Sequence, residues 1–450
     1  MSLPLPESRA GADSYLFGRG PAWFAFAMTL ALMVIDYVDR QVIVSLFPYM
    51  KADWGLSDKQ LGALVSVVSV TVAFGALPVA LFADRSSRVK SIAAMAGAWS
   101  LATISCMFTR SYGTLLAARA FVGLGEAGYG AVGAALIASH FPARLRGALM
   151  AGFFASASIG SVLGVMLGGL IAARWGWQAA FGVVGVPGLL LALLYLTVRD
   201  YRTVALTPRL DAATRSTGSV ARSIVQALLR SRTMLWVCIG GAAQLVVVSA
   251  LWSWLPSFLN RVHGIAPDRA AVQAAGVVLA GALGSVIWGA AIDRAGARRP
   301  RRKLVAMALL CLVAMGLLMA AFAAPLLGLA LAPPAQLTLI VIGGFVMTCT
   351  VGPVSAVVID VIHPGVRATG ASVLALFQNL FGLAAGPFIG GLLSDALGLG
   401  AALALTPAFA IVAALAFLQA MRHYETDLQC AAEPLPAEAD TARAPLRAAA

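Results

Sequence analysis

Twelve apolar segments divide this chain, at about 22–47, 60–83, 91–109, 113–139, 147–173, 177–198, 233–259, 270–292, 304–326, 335–361, 368–394 and 400–421. Roughly 20 apolar residues cross a bilayer as a helix. Inside the hydrocarbon every backbone N–H and C=O must be satisfied within the chain, so helices are the natural solution for runs of this length. The composition agrees, with 60% hydrophobic and 11% charged residues and a mean hydropathy of +0.88. Soluble domains carry about 25% charged residues. The first apolar run is too long for a cleavable signal peptide and shows no clear cleavage site, so it reads as the first spanning helix. The expected fold class is an all-α membrane protein with twelve transmembrane helices arranged as two six-helix bundles.

The long polar stretch Arg199–Arg232 lies between the sixth and seventh segments and holds seven arginines. It reads as a linker between an N-terminal bundle (22–198) and a C-terminal bundle (233–421). Residues 1–21 read as a cytoplasmic N-terminal segment, and 422–450, rich in Ala, Pro and Glu, as a disordered cytoplasmic tail. If the amino terminus is cytoplasmic, six Lys/Arg fall in outer loops (Lys51, Lys59, Arg110, Arg174, Arg261, Arg269) and two inside helices (Arg40, Arg119). The other 24 then lie on the inner side. This is a strong positive-inside bias. The net charge of +13 is therefore the inner-face charge of a membrane protein rather than a nucleic-acid footprint. Cys106, Cys238, Cys311, Cys349 and Cys430 show no metal-ligand spacing, and no metal or cofactor is expected. His140, His263, His363 and His423 fall at segment ends or in loops, which argues against an intramembrane metalloprotease.

The two halves repeat. SLFP at 45–48 matches SWLP at 253–256, and Asp84-Arg85 matches Asp293-Arg294. Pro142 matches Pro364, and Arg146 matches Arg367. Gly164 and Gly168-Gly169 match Gly386 and Gly390-Gly391, all at an offset of 222. Parallel six-helix repeats with a binding site between them characterise the major facilitator architecture.

Charge inside the apolar runs is sparse and concentrated. The fourth segment contains RAFVGLGEAGYG (119–130), with Arg119 and Glu126 nearly two helical turns apart on one face. A charge at mid-membrane costs about 2.5–3.5 kcal/mol on insertion scales, so such residues face an internal cavity and take partners there. The glycines between and after them (Gly123, Gly125, Gly128, Gly130) are expected to thin a continuous helix for close approach. The first segment carries IDYVDRQ, with Asp36, Asp39 and Arg40 within roughly a 100° arc. Depths counted at about 1.5 Å per residue overlap between the two charged faces. The resemblance of the repeated halves to the major facilitator architecture implies that the first and fourth helices line one central cavity, so that the two faces meet, with Asp39–Arg119 and Arg40–Glu126 as the expected pairs. The C-terminal half offers Gln244, Trp252 and Trp254, Thr348, and Gln378 with Asn379 as candidate cavity-lining groups, with no deep charge.

ALFADRSSRVK (80–90) and GAAIDRAGARR (289–299) resemble the major facilitator signature after its second and eighth helices, and R-x-x-x-G-x-G at Arg119, Gly123 and Gly125 resembles its fourth-helix pattern. The first loop departs from the signature at Ala80 and Ser87. The resemblance implies that Asp84, Arg85, Arg88, Asp293 and Arg294 form an inner-side latch that holds the outward-facing state. YVDR in the first segment, together with ADRSSR and RAFVGLGEAGY, is similar to the spinster-like branch, whose carriers move lysophospholipids and sphingosine-1-phosphate. The Y-x-D-R element also resembles the anion:cation symporters, which take up organic carboxylates.

The expected function is a secondary active transporter in a bacterial inner membrane, with both termini cytoplasmic. It would move a small organic or amphipathic anion by alternating access, with protons as coupling ion. Asp36, Asp39, Arg40, Arg119 and Glu126 are the expected substrate and proton-coupling residues. The alternatives are a spinster-type lipid efflux carrier, a drug-type proton antiporter, and a nontransporting membrane sensor. No nucleophile–base constellation points to an enzyme. A monomer in the bilayer is expected, with no nucleic-acid partner.

Overall fold

The computed structural model describes residues 15–85, 87–199, 231–329, 331–362 and 367–432. Its twelve membrane-length helices are α1 (Arg19–Ser45), α2 (Asp58–Arg85), α3 (Arg88–Cys106), α4 (Tyr112–His140), α5 (Ala143–Trp175), α6 (Trp177–Tyr195), α7 (Arg232–His263), α8 (Pro267–Gly296), α9 (Arg301–Leu326), α10 (Pro333–Asp360), α11 (Gly370–Leu397) and α12 (Leu399–Cys430). A short helix, Phe47–Trp54, follows α1. Large apolar side chains such as Phe74, Phe108, Phe121 and Val286 stand out from the bundle, as a lipid-facing surface requires. The helix most enclosed by others is α7, whose apolar stretch is mostly buried.

Glycine periodicity sets the packing within each half. On α5, Gly160, Gly164 and Gly168 lie against the carbonyls of Val34, Val38 and Val42 on α1, advancing four residues on each helix. On α11, Gly382, Gly386 and Gly390 advance in the same steps along Ala242, Val246 and Ala250 of α7. A methyl at Gly164 would come 2.6 Å from the Val38 oxygen, so only glycine permits this approach. The sequence repeat at an offset of 222 is this repeated helix contact.

The helices run alternately, so the described ends of the chain and of the linker share one end of the bundle, here the terminus end. At the opposite, far end the hydrophobic core is continuous across both halves, from Val42, Phe47 and Leu64 to Trp254, Phe258 and Ala274. Toward the terminus end the core splits. One cluster belongs to the first half alone (Ala22 to Val198) and another to the second (Met234 to Tyr424). Among the described residues the apolar core is therefore shared by the halves at the far end and divided at the terminus end.

Several elements differ from the sequence reading. The fourth span is not one continuous helix. It ends at Glu126, passes through extended Ala127 (ψ 124°) and Gly128 (φ 85°), and restarts at Tyr129. The equivalent tenth span also breaks, at Thr348–Thr350 between Pro333–Met347 and Val351–Asp360. The tail expected to be disordered from 422 instead continues α12 as helix to Ala432. Three of its polar residues have partners: Glu425 pairs with Arg301 at 2.7 Å, and Tyr424 OH donates to Asp360 at 3.3 Å. Asp427 accepts the Thr233 amide and the Ser231 hydroxyl at the start of α7. The remainder of that tail, residues 200–230 of the linker and residues 1–14 lie outside the described residues.

Candidate functional site: a buried ion cluster between α1 and α4

The break in α4 divides its glycines by task. Gly123 packs against Val68 and Thr71 of α2, Gly125 against Trp99 of α3, and Gly128 supplies the left-handed turn. Methyl groups at the first two would collide with backbone atoms of α2 and α3. With that side pressed on α2 and α3, Arg119 and Glu126 face α1.

Two ion systems result. In the first, Arg119 Nη1 lies 3.2 Å from Asp39 Oδ1, and Thr103 of α3 donates its hydroxyl to the other carboxylate oxygen. Arg119 and Asp39 have essentially no exposed surface. Each oxygen of the carboxylate has a partner, so this is a closed pair. In the second, Arg40 Nε lies 3.0 Å from Glu126 Oε2 and 3.5 Å from Asp36 Oδ1. The guanidinium stacks over the Tyr37 ring, 5.3 Å from its centroid. Such stacking adds about 0.5–2 kcal/mol. Asp36 and Glu126 are 2% exposed, whereas the Arg40 side chain retains 18% exposure. Arg40 is thus the accessible member of the cluster, held from behind by two carboxylates and an aromatic face. The other Glu126 oxygen, Oε1, is buried without a hydrogen-bond partner.

The restart of α4 is anchored as well. Tyr129 OH donates to the Thr29 carbonyl at 2.6 Å, and the Thr29 hydroxyl pairs with Tyr195 OH at 2.7 Å. These bonds fix the break against α1 and α6. Thr103 and Tyr37 lacked any sequence signal beyond their place in an apolar run and beside Asp36.

The expected groups of the second half sit differently. Gln244 is fully buried and ties α7 to the α10 break by donating Nε2 to the Met347 carbonyl at 2.8 Å, leaving its Oε1 without a partner. Thr348, in that break, donates to the Gly281 carbonyl of α8 at 2.7 Å. Trp252 is partly exposed and packs toward Gly281, with its indole N–H unpartnered. Trp254 is not a cavity-wall residue: it has no exposed surface, donates to the Pro387 carbonyl at 3.0 Å, and packs its ring at a tilt against Phe47 of the first half, with centroids 5.1 Å apart. Its bulk fills the seam between the halves at the far end. Gln378 and Asn379 open a π-helical turn, Gln378–Leu383, and both are partly exposed.

At the terminus end, Asp293 pairs with Lys303 at 3.3 Å, and Lys303 also approaches Asp360 at 3.6 Å, all within the second half. Arg294 is exposed. Arg88 donates to the Ala135 carbonyl within the first half. The side chains of Asp84 and Arg85 lie outside the described set. Among the described residues, no ion pair joins the halves at this end. Those residues likewise contain no group of three His, Cys, Asp or Glu able to hold a metal ion.

Comparison with known proteins places these features in context. A family model described as "Major Facilitator Superfamily" matches residues 29–385. The chain is 30% identical over 435 residues to the gallate transporter of Pseudomonas putida, covering 88% of this chain and 91% of that protein. It is 29% identical over 424 residues to an MFS-type efflux pump of Mycolicibacterium smegmatis, covering 91% and 95% of the two chains. Its fold superposes with a TM-score of 0.80 on the crystal structure of a bacterial homolog of the human lysosomal transporter Spinster, at 22% identity, covering 91% of this chain and 99% of that one.

Proposed function

Because this chain belongs to the Major Facilitator Superfamily, and is a multi-pass membrane transporter rather than an enzyme, we propose that it carries a small organic anion, aromatic carboxylates foremost, together with protons. The observation that carries this reading is Arg40, the accessible cation of a buried cluster. A carboxylate substrate would take the place of one of its two acidic partners.

Charge counting supports the proton. The cluster holds three carboxylates and two guanidinium groups, and among the described residues the second half adds no buried charge to offset the excess. Uncompensated charge at this depth is costly. Asp39 is engaged by Arg119 and Thr103, so a proton would be shared between Asp36 and Glu126. An anion arriving at Arg40 displaces one of these carboxylates, which is easiest if that group takes a proton. Substrate and proton then travel together. One relative lends weight, the gallate transporter, because gallate is a polyhydroxylated benzoate. The placement would be a bacterial inner membrane with the terminus end cytoplasmic, as the 24 Lys/Arg assigned to that side favour.

The test is uptake into proteoliposomes under an imposed pH gradient, with gallate, 4-hydroxybenzoate and a lysophospholipid as separate substrates. Gradient-dependent accumulation of either aromatic acid supports the reading. Transport of the lysophospholipid alone overturns it in favour of a lipid carrier.

A further inference from the structure

We propose that Asp58 is the hub of a charged clasp that holds the far end closed along only one of two equivalent seams. Asp58 opens α2 and is 3% exposed, yet carries a carboxylate. Lys51 Nζ approaches its Oδ1 at 2.6 Å from the short helix after α1. From the opposite half, Arg261 at the end of α7 binds both oxygens, at 2.7 and 2.9 Å, and Ser394 of α11 donates to Oδ2 at 2.5 Å. The next residue on α11, Asp395, reaches back across the seam. Its two oxygens accept the amides of Asp58 and Lys59, each at 2.8 Å. A carboxylate from one half thereby caps the first turn of a helix in the other, where unpaired amides and the helix dipole favour negative charge. Two cations and two carboxylates balance, so the closed clasp carries no net charge.

The repeat supplies the comparison. Gly391 of α11 lies on the Asp58 backbone, and its counterpart Gly169 of α5 lies on Ala271 of α8. The two seams, α2–α11 and α5–α8, are therefore built alike in backbone. Their chemistry differs. Among the described residues no ion pair spans α5–α8, where Gly169 lies on Ala271 and on the backbone of Pro267 and Asp268. Charge-assisted hydrogen bonds are short and directional and break as a set. Packed helices without such bonds can shear by small sliding movements while staying in contact. Opening at the far end should accordingly part α2 from α11 while α5 and α8 stay in contact as the pivot.

The test uses the full chain with the exposed Cys430 replaced by serine and pairs of spin labels read by pulsed electron resonance. One pair, Ala52→Cys with Ala396→Cys, straddles the clasp, and the other, Arg174→Cys with Arg269→Cys, straddles the pivot. Arg261→Gln is expected to raise the long-distance population of the first pair at least about tenfold, given the usual cost of truncating a buried charge pair. Asp395→Asn, at an exposed position that tolerates the change in folding terms, should move it in the same direction. The second pair should keep one short distance in every variant. Unchanged clasp distances in both folded variants, or equal lengthening at the two seams, would overturn the proposal. The distances are read without substrate, so this outcome stands whichever molecule the carrier moves.

Discussion

Arg40 Nε lies 3.0 Å from Glu126 Oε2, and the arginine is the partner that remains exposed. The relationship makes Glu126 the group whose loss separates coupling from structure. Glu126→Gln keeps volume and one hydrogen-bond acceptor but cannot carry a proton. Because Asp36 still faces Arg40 at 3.5 Å, the guanidinium is not left alone. The variant is expected to fold, to bind substrate, and to lose accumulation driven by a pH gradient. Melting temperature, ligand binding and uptake on one preparation check this. Normal gradient-driven uptake would move the coupling role to Asp36.

The closed pair should respond in the opposite way. Asp39→Asn leaves Arg119 buried with a neutral partner, and breaking a buried pair by removing one charge costs about 3–5 kcal/mol. The expected result is a lower melting temperature and lower yield. The double variant Asp39→Asn with Arg119→Gln should recover part of the loss, because it removes the stranded charge. A melting curve for each single and double variant is sufficient. Wild-type stability in Asp39→Asn would show that the pair is dispensable for folding.

Packing gives a third contrast. Gly164→Val would drive a branched side chain into the Val38 carbonyl, whereas Gly97 has no atom within 4 Å of a built Cβ. Overpacking costs about 1–3 kcal/mol, more where backbone must move. Gly164→Val is expected to reduce yield of folded protein sharply, and Gly97→Ala to leave it unchanged, by fluorescence size-exclusion profiles. Equal profiles would show that α1 and α5 can separate without penalty.

A fourth expectation concerns topology. A reporter inserted after Arg215 should report the cytoplasm, and one near Pro267 the opposite side. Alkaline phosphatase and green fluorescent protein fusions give opposite signals at the two sites. The same side for both would break the alternation on which the positive-inside assignment rests.

How legible all this was in the sequence depends on the range of each interaction. The spans were plain because hydropathy is local, and the glycine repeat because it is periodic. The pairings of α1 with α4 needed helical geometry for the depth of each charge and the major facilitator resemblance to set both faces on one cavity. The clasp was not legible. Lys51 and Arg261 read as outer-loop charges, and Asp58 meets Asp395 and Ser394 only through the docking of α2 on α11. Trp254 was misplaced because hydropathy does not tell an indole facing a cavity from one filling a seam. The helical end of α12 was hidden because its polar residues looked solvated until Arg301, Asp360 and the start of α7 supplied partners.

The break in α4 supplies the last prediction. Gly128 holds φ at 85°, and a built Cβ there would lie 3.2 Å from Val79 Cγ1. An L-residue in this conformation costs about 1–3 kcal/mol. Gly130 follows two residues later, inside the restarted helix, with no atom within 4 Å of a built Cβ. Gly130→Ala should therefore be neutral or slightly stabilising, by about 0.4–1 kcal/mol through the unfolded chain. Gly128→Ala should lower the melting temperature. The break sets where Glu126 ends its helix and how Tyr129 reaches Thr29, so relaxing the turn toward straight helix would pull the carboxylate from Arg40. Uptake should then fall further than stability alone explains. Comparing the two alanine variants at a temperature where both remain folded isolates that effect. If Gly128→Ala transports as well as Gly130→Ala under those conditions, the left-handed turn serves packing and does not position the ion cluster.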